Sequence, residues 1–215
     1  GPGRTDLSRQ LVGQKAWIIG STGADDVTTS DGVDKLDGKE GDDILEGGAG
    51  ADTIIGGSGV NTASYAGAAS GVTVSLTTKT GTRGDALGDT LTQIHNLRGS
   101  AFGDELSGSA GGNRLEGLGG DDLLEGLAGG DLLIGGDGID TATYARSSAA
   151  IRVDLGLNTG KGGDAQGDTF DSIENLIGST FADTLIGDGG ANVLEGLAGA
   201  DGLSGGGGSD TASYS

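Results

Sequence analysis

The sequence has no cysteine, one proline and few aromatic residues: one tryptophan, three phenylalanines and three tyrosines among 215 residues. Without cysteine, neither disulfide bonds nor thiolate metal sites can stabilise the fold. The scarcity of bulky side chains excludes a wide, tightly packed core. No apolar run approaches the eighteen residues of a membrane-spanning helix. Any core must therefore be narrow.

Basic residues are also scarce, because 12 Lys and Arg against 32 Asp and Glu give a formal net charge of -20. This charge argues against nucleic acids and anionic membranes as partners and favours cations. Glycine is abundant, at 49 of 215 residues, but it has no three-residue period, which excludes a collagen helix. A glycine-rich disordered linker is the simple alternative to a fold, and periodicity decides between the two.

A nine-residue pattern recurs in three uninterrupted series. It consists of Gly, Gly, any residue, Gly, any residue, Asp or Asn, any residue, an apolar residue and any residue, as in "GGAGADTII" at 47–55. The series cover 20–64 in five units, 99–143 in five units and 178–213 in four units. Position six holds Asp25, Asp34, Asp43, Asp52, Asn61, Asp104, Asn113, Asp122, Asp131, Asp140, Asp183, Asn192, Asp201 and Asp210. Position eight holds Val27, Leu36, Leu45, Ile54, Ala63, Leu106, Leu115, Leu124, Leu133, Ala142, Leu185, Leu194, Leu203 and Ala212. A disordered chain has no reason to keep this register, so the pattern predicts a folded repeat protein.

Two segments of equal length, 66–98 and 145–177, separate the series and resemble each other. "VTVSL" at 72–76 matches "IRVDL" at 151–155, and "GDALGDTL" at 84–91 matches "GDAQGDTF" at 163–170. Apolar residues alternate in the first of these stretches, which is the period of a strand. We therefore predict two homologous, β-structured inserts. The residue pattern leaves open whether Asp85, Asp89, Asp164 and Asp168 bind metal or only form turns.

The series and the inserts together predict the organisation of the chain. Residues 1–19 are interpreted as the remnant of a cleaved tag, "GPG", followed by an N-terminal cap in which Trp17 covers the open end of the repeats. Repeat blocks are predicted at 20–65, 99–144 and 178–215, the third truncated, and the inserts at 66–98 and 145–177. The blocks reach a tyrosine at Tyr65, Tyr144 and Tyr214. We expect the sequence to be a segment of a larger protein.

Each nonapeptide is predicted to be a glycine turn followed by a short strand, and two nonapeptides make one coil of a solenoid. Coils stack about 4.8 Å apart, so position-six residues eighteen positions apart become neighbours. Stacked carboxylates repel unless a divalent cation lies between them. Calcium suits oxygen ligands in flexible geometry, whereas zinc and copper prefer His or Cys and magnesium is too small and rigid to be the first choice.

The nine-residue pattern resembles the calcium-binding nonapeptide of the RTX (repeats-in-toxin) family. The resemblance implies a parallel β-roll with each calcium between turn n and turn n+2, held by two position-six side chains and glycine-loop carbonyls. It implies about eight ions, between Asp25 and Asp43, Asp34 and Asp52, Asp43 and Asn61, Asp104 and Asp122, Asn113 and Asp131, Asp122 and Asp140, Asp183 and Asp201, and Asn192 and Asp210. Pairs that include Asn are expected to be weaker. Phe102 and Phe181 replace the position-four glycine beside Asp104 and Asp183, so these two sites depart from the pattern.

Other motifs carry less chemistry. His95 is matched by Glu174 in the second insert and is interpreted as a surface or cap residue. "GLSGG" at 202–206 fits the hydrolase elbow G-x-S-x-G, but it lies inside the repeat grid and not in a strand-turn-helix, so we interpret it as a coincidence.

The sequence therefore predicts an all-β, parallel β-roll (β-solenoid) that is largely unfolded without metal and folds when calcium binds. The family resemblance implies export through type I secretion machinery and a secreted, extracellular or cell-surface location, with the roll as a spacer in a bacterial toxin, adhesin or exoenzyme. The alternative is a calcium-dependent module that binds glycans or a cell surface. An enzyme is not expected, because the sequence lacks a nucleophile and base constellation.

Overall fold

The computed structural model describes residues 15–214 and the backbone of residues 5–6. These residues form a parallel β-roll, which confirms the predicted fold class. No α-helix occurs among them, and the two helical segments are short 3-10 turns at Gly84–Ala86 and Gly163–Ala165.

The strands are mostly three residues long, because only positions seven to nine of each unit are extended before the next glycine turn. Up to the end of the first series they are β1 (Thr5–Asp6), β2 (Trp17–Ile19), β3 (Asp25–Thr28), β4 (Lys35–Asp37), β5 (Ile44–Glu46), β6 (Thr53–Ile55) and β7 (Thr62–Ser64). The first insert contains β8 (Thr73–Ser75), β9 (Thr80–Arg83), β10 (Thr90–Thr92) and β11 (Asn96–Arg98). The second series contains β12 (Glu105–Ser107), β13 (Arg114–Gly119), β14 (Leu123–Glu125), β15 (Leu132–Asp137) and β16 (Thr141–Thr143). The second insert contains β17 (Arg152–Asp154), β18 (Thr159–Lys161), β19 (Thr169–Asp171) and β20 (Asn175–Ile177), and the third series β21 (Thr184–Ile186), β22 (Val193–Glu195), β23 (Gly202–Ser204) and β24 (Thr211–Ser213).

Within each series, successive strands alternate between the two sides of the roll. Sheet A has the order β1-β3-β5-β7-β11-β13-β15-β19, sheet B the order β2-β4-β6-β10-β9-β8-β12-β14-β16-β20-β22-β24, and sheet C the order β18-β17-β21-β23. Within a series the pairing is parallel and joins residues eighteen apart, as in Val27 with Leu45 and Leu36 with Ile54. Two nonapeptides thus form one coil, as the repeat length predicts.

The inserts continue the roll. In the first insert, Leu91 pairs with Ile54 and Leu97 with Ala63, so β10 and β11 occupy the places of the next two repeat strands. Before them in the chain, β8 and β9 form an antiparallel hairpin. The second insert repeats this arrangement with β17 and β18 as its hairpin. The first hairpin lies in sheet B and the second in sheet C, because the five units of the second series shift the chain to the opposite side.

The core is a narrow row of stacked position-eight side chains. Those from Val27 to Leu194 are at most 1% exposed, and Val74, Leu97, Val153 and Leu176 of the inserts continue the row. Leu203 is only partly buried and Ala212 is exposed, because no later coil of the described chain stacks on them. The predicted core therefore holds except in the last two units.

The N-terminal prediction is only partly covered by the described residues. Trp17 lies in β2 and is 66% exposed, with the Lys35 ammonium 5.0 Å from the ring centroid. Most of the segment interpreted as a tag remnant and cap, residues 1–19, lies outside the described residues.

Candidate metal centres

The position-six residues form columns along the turns on both sides of the roll. In each predicted pair, the backbone N–H of one residue donates to the side-chain Oδ1 of the residue eighteen positions later. The N···O distances are 2.9 Å for Asp25 and Asp43, 2.7 Å for Asp34 and Asp52, 3.0 Å for Asp43 and Asn61, 2.8 Å for Asp104 and Asp122, 2.7 Å for Asn113 and Asp131, 2.9 Å for Asp122 and Asp140, 2.9 Å for Asp183 and Asp201, and 3.0 Å for Asn192 and Asp210. The structure brings together all eight pairs that the sequence places together.

Most of these side chains are buried between coils. Twelve of the fourteen are at most 6% exposed, whereas Asp201 is half-buried and Asp210 is exposed. A buried carboxylate needs hydrogen bonds or a counter-charge, because its ionised form is otherwise strongly destabilised.

The titration of the columns reflects this burial. Loss of solvation raises the pKa of Asp52, Asp122 and Asp131 to about 7, and the negative charges of neighbouring acids add to the effect. The pKa is also raised, with burial as the largest cause, for Asp43, Asp104 and Asp140. Without a bound cation, the columns would thus hold protons at a pH where ordinary carboxyls have lost them.

Seven carboxylate oxygens in the columns are buried and have no hydrogen-bond partner. They are the Oδ2 atoms of Asp34, Asp43, Asp52, Asp122, Asp131, Asp140 and Asp201. Buried polar atoms are nearly always satisfied, so a row of unsatisfied oxygens on acids indicates a missing positive ligand.

At Asp43 and Asp122, the unsatisfied oxygen borders the same space as a backbone carbonyl of the following coil. A methyl group added to Gly38 would lie 2.2 Å from Oδ2 of Asp43 and 2.7 Å from the carbonyl oxygen of Gly56. A methyl group on Gly117 would likewise lie 1.8 Å from Oδ2 of Asp122 and 2.7 Å from the carbonyl oxygen of Gly135. In these two turns the small space is therefore bordered by oxygens, and it is open because the position-one glycine has no Cβ.

The residue at position two has an unusual backbone conformation in most of these turns. At six of the seven acids with an unsatisfied oxygen, position two has a positive φ, and in four of them it is not glycine: Lys39, Leu118, Leu127 and Leu197, with φ between 59° and 79°. This conformation costs a residue with a Cβ on the order of 1 kcal/mol or more. Strain of this kind is typical of functional sites, and the repeat pattern alone did not indicate it.

The first turn of each block is built differently. Ser21, Ser100 and Ser179 occupy position two, and each donates its backbone N–H and its hydroxyl to the carboxylate of its own unit, Asp25, Asp104 and Asp183 respectively. Both oxygens of these acids are thus hydrogen-bonded by the protein. Asp104 and Asp183, whose units depart from the repeat pattern at Phe102 and Phe181, are therefore satisfied by the protein. Asp25 shares this arrangement, although its unit has the usual glycine at position four.

The amide members of the columns are also satisfied. The side-chain N–H groups of Asn113 and Asn192 donate at 2.7 Å to the carbonyl oxygens of His95 and Glu174. Their Oδ1 atoms accept backbone N–H groups from within their own turns.

The inserts contribute two acids that the repeat count missed. Asp89 Oδ1 accepts the N–H of Asp52, and Asp168 Oδ1 accepts that of Asp131, both at 2.8 Å. Their Oδ2 atoms accept the hydroxyls of Tyr65 and Tyr144, at 3.0 and 2.8 Å. The residue spacing is 37, so an eighteen-residue search cannot find these pairs.

A signal for these acids was nevertheless present in the sequence. "GDALGDTLT" at 84–92 and "GDAQGDTFD" at 163–171 fit the nonapeptide at positions one, six and eight. The remaining insert acids, Asp85 and Asp164, stand at position two of these units and lie near the columns. The pKa of Asp89 and of Asp168 is raised to about 6, mainly by burial and to a smaller extent by the negative charges of Asp85 and Asp164.

The donor set fits calcium. Among residues 15–214, no three or more His, Cys, Asp and Glu side chains converge on one point. Each centre would therefore combine two side chains with backbone carbonyls, an all-oxygen set that calcium accepts in flexible geometry and that zinc does not prefer.

The other motifs acquire no chemistry in the structure. His95 is exposed, and its Nδ1 accepts the N–H of Asn61 at 3.3 Å, which agrees with a surface or cap residue. The "GLSGG" serine, Ser204, ends the short strand β23 and is not followed by a helix.

Comparison with known proteins extends this picture. No helix in the described part of the chain is long and apolar enough to cross a membrane. No curated protein matches the sequence. The family model of the RTX calcium-binding nonapeptide repeat matches in four copies, at residues 17–45, 28–63, 98–142 and 177–212. Because these matches span more than half of the sequence, the chain belongs to the RTX calcium-binding nonapeptide repeat family and is a calcium-binding β-roll.

Proposed function

We propose that this roll is a calcium-dependent folding module of a larger secreted bacterial protein and that it serves there as a structural spacer. The supporting observation is the row of buried, unsatisfied carboxylate oxygens, because a fold with ionised carboxylates in this state is stable at neutral pH only when metal cations bind them. Calcium outside cells reaches the roughly 0.1 to 1 mM range in which weak sites of extracellular modules fill. The chain would then stay unfolded inside the cell, leave through a type I secretion channel and fold outside.

The proposed ligands are the fourteen position-six residues, with backbone carbonyls of the adjacent turns. Pairs of two acids whose first member has an unsatisfied Oδ2 should bind most strongly: Asp34 and Asp52, and Asp122 and Asp140. The pair Asp43 and Asn61 should be weaker, because the amide of Asn61 carries no charge. Pairs that begin at Asp25, Asp104 or Asp183 should be weaker, because serine already satisfies the first carboxylate. A total of about eight ions remains a prediction.

The proposed division of the chain keeps repeat blocks at 20–65, 99–144 and 178–215 and inserts at 66–98 and 145–177. Continuous strand pairing through both inserts supports a roll that acts as one extended spacer. Calcium ions are the proposed partners, and the net charge of -20 disfavours nucleic acid. Catalysis is not proposed, because the serine hydroxyls that contact position-six acids serve to satisfy those buried carboxylates.

The test is circular dichroism during calcium titration of metal-stripped protein at neutral pH, with chelator reversal and a magnesium control. We expect little strand signal without metal, a sigmoidal gain with calcium and a much smaller response to magnesium. Asp34→Asn should move the midpoint to higher calcium, whereas Asp31→Asn, at an exposed position of the same unit, should leave it unchanged. Full strand signal in excess chelator at neutral pH would contradict the proposal.

A further inference from the structure

The two inserts contain one equivalent turn that differs chemically. This turn connects β10 to β11 in the first insert and β19 to β20 in the second. Gln93 and Ser172 have positive φ values of 56° and 52° at its start. His95 and Glu174 stand at its end, where each accepts the backbone N–H of the position-six residue of the preceding coil, Asn61 or Asp140.

In the second insert this turn completes an anionic space. Asp140 is fully buried, and its Oδ2 has no partner. A methyl group on Gly135 would lie 2.2 Å from that oxygen and 2.0 Å from the carbonyl oxygen of Ser172, so both oxygens border the same space. Glu174 Oε2 accepts the N–H of Asp140 at 2.8 Å, which holds a second carboxylate beside the first.

In the first insert the same space contains a built-in donor. The Asn61 side-chain nitrogen lies 3.2 Å from the Gln93 carbonyl oxygen and 3.4 Å from that of Gly57. Its Oδ1 accepts the N–H of Asp43 at 3.0 Å, which fixes the orientation of the amide. His95 replaces the glutamate, so this turn has a satisfied amide where the second insert has two acids.

We propose that Asp140, Glu174 and the Ser172 carbonyl form a calcium site in the second insert that has no counterpart in the first. Glu174 and Ser172 lie outside the family matches, which end at 142 and resume at 177. Two carboxylates and a carbonyl form an oxygen set for a divalent cation. In the first insert, the side-chain N–H groups of Asn61 donate to the corresponding carbonyl oxygens instead. The site rests on the proposed calcium-dependent folding, since it assumes that calcium is the cation of the roll.

The test is the number of calcium ions bound per chain, measured by equilibrium dialysis and atomic absorption on folded protein at saturating calcium. Glu174→Gln keeps an acceptor for the Asp140 N–H but removes the charge, and it should bind one ion fewer than the wild type. His95→Gln in the first insert is the matched control and should not change the number. The double substitution Asn61→Asp with His95→Glu copies the second site into the first insert and should add one ion.

The outcomes separate the two proposals. An unchanged number in Glu174→Gln, with the dichroism of the folded protein retained, would overturn the site while leaving calcium-dependent folding in place. If Glu174→Gln does not fold, the double variant decides, because failure to gain an ion would overturn the site. A wild-type chain that binds no calcium would overturn both.

Discussion

Protons should partly replace calcium in the columns, so metal-free protein should gain strand structure on acidification. Burial raises the pKa of Asp52, Asp122 and Asp131 to about 7, and that of Asp89 and Asp168 to about 6. Because these folded-state pKa values exceed the unfolded ones, the folded state binds more protons over this range. Its stability is therefore greatest below about pH 4 and is lost as the pH rises through 7.

The size of the effect follows from the same values. The difference between about 7 and the ordinary 3.8 corresponds to roughly 4 kcal/mol for each of Asp52, Asp122 and Asp131. Three such losses are comparable to the whole stability of a typical domain, about 5 to 15 kcal/mol. Metal-free protein should thus be largely unfolded at pH 8 and substantially folded near pH 5.

The assay is far-ultraviolet circular dichroism of metal-stripped protein between pH 8 and 5, above the isoelectric point of about 4.1. Light scattering should accompany it, to distinguish folding from association. The triple variant Asp52→Asn, Asp122→Asn and Asp131→Asn carries neutral side chains at every pH, so its spectrum should change much less. Identical wild-type spectra at pH 8 and 5 would refute the reasoning.

Two further predictions concern the packing of the calcium-loaded roll, measured by urea unfolding at saturating calcium. Leu124→Ala should lower the free energy of unfolding by about 2 to 5 kcal/mol, because this side chain is fully buried. Leu157→Ala should have little effect, because Leu157 is 71% exposed. Equal losses of stability in the two variants would contradict the narrow core. Tyr65→Phe should cost about 1 to 3 kcal/mol, because it leaves the buried Asp89 Oδ2 without its partner, and a loss no larger than that of the 65% exposed Tyr214→Phe would argue against the hydrogen bond.

Much of the roll could be predicted from local pattern. The nine-residue spacing of small, acidic and apolar residues specifies a turn and a short strand, and two such units return the chain to its starting side. The pairing of Val27 with Leu45 and of Asp25 with Asp43 follows from that period alone. The choice of calcium as the cation also followed from the residue types, and the family match supports it.

The continuation of the columns through the inserts could not be predicted in the same way. Asp52 meets Asp89 across 37 positions, and Asp140 meets Glu174 across 34. These sequence separations depend on the number of residues in the antiparallel hairpin that lies between the two coils. The nine-residue period does not indicate the length of that hairpin.

By itself, the sequence determined the coil, its register and the columns of acids, because each depends on neighbours at a constant spacing. Only the tertiary structure decided which carboxylates lack partners. Asp43 and Asp104 both occupy position six. Ser100 donates hydrogen bonds to both carboxylate oxygens of Asp104, whereas Oδ2 of Asp43 has no partner and borders the same space as the carbonyl of Gly56. Hydrogen-bond satisfaction depends on angles and distances between adjacent turns, and these are fixed only when the coils stack.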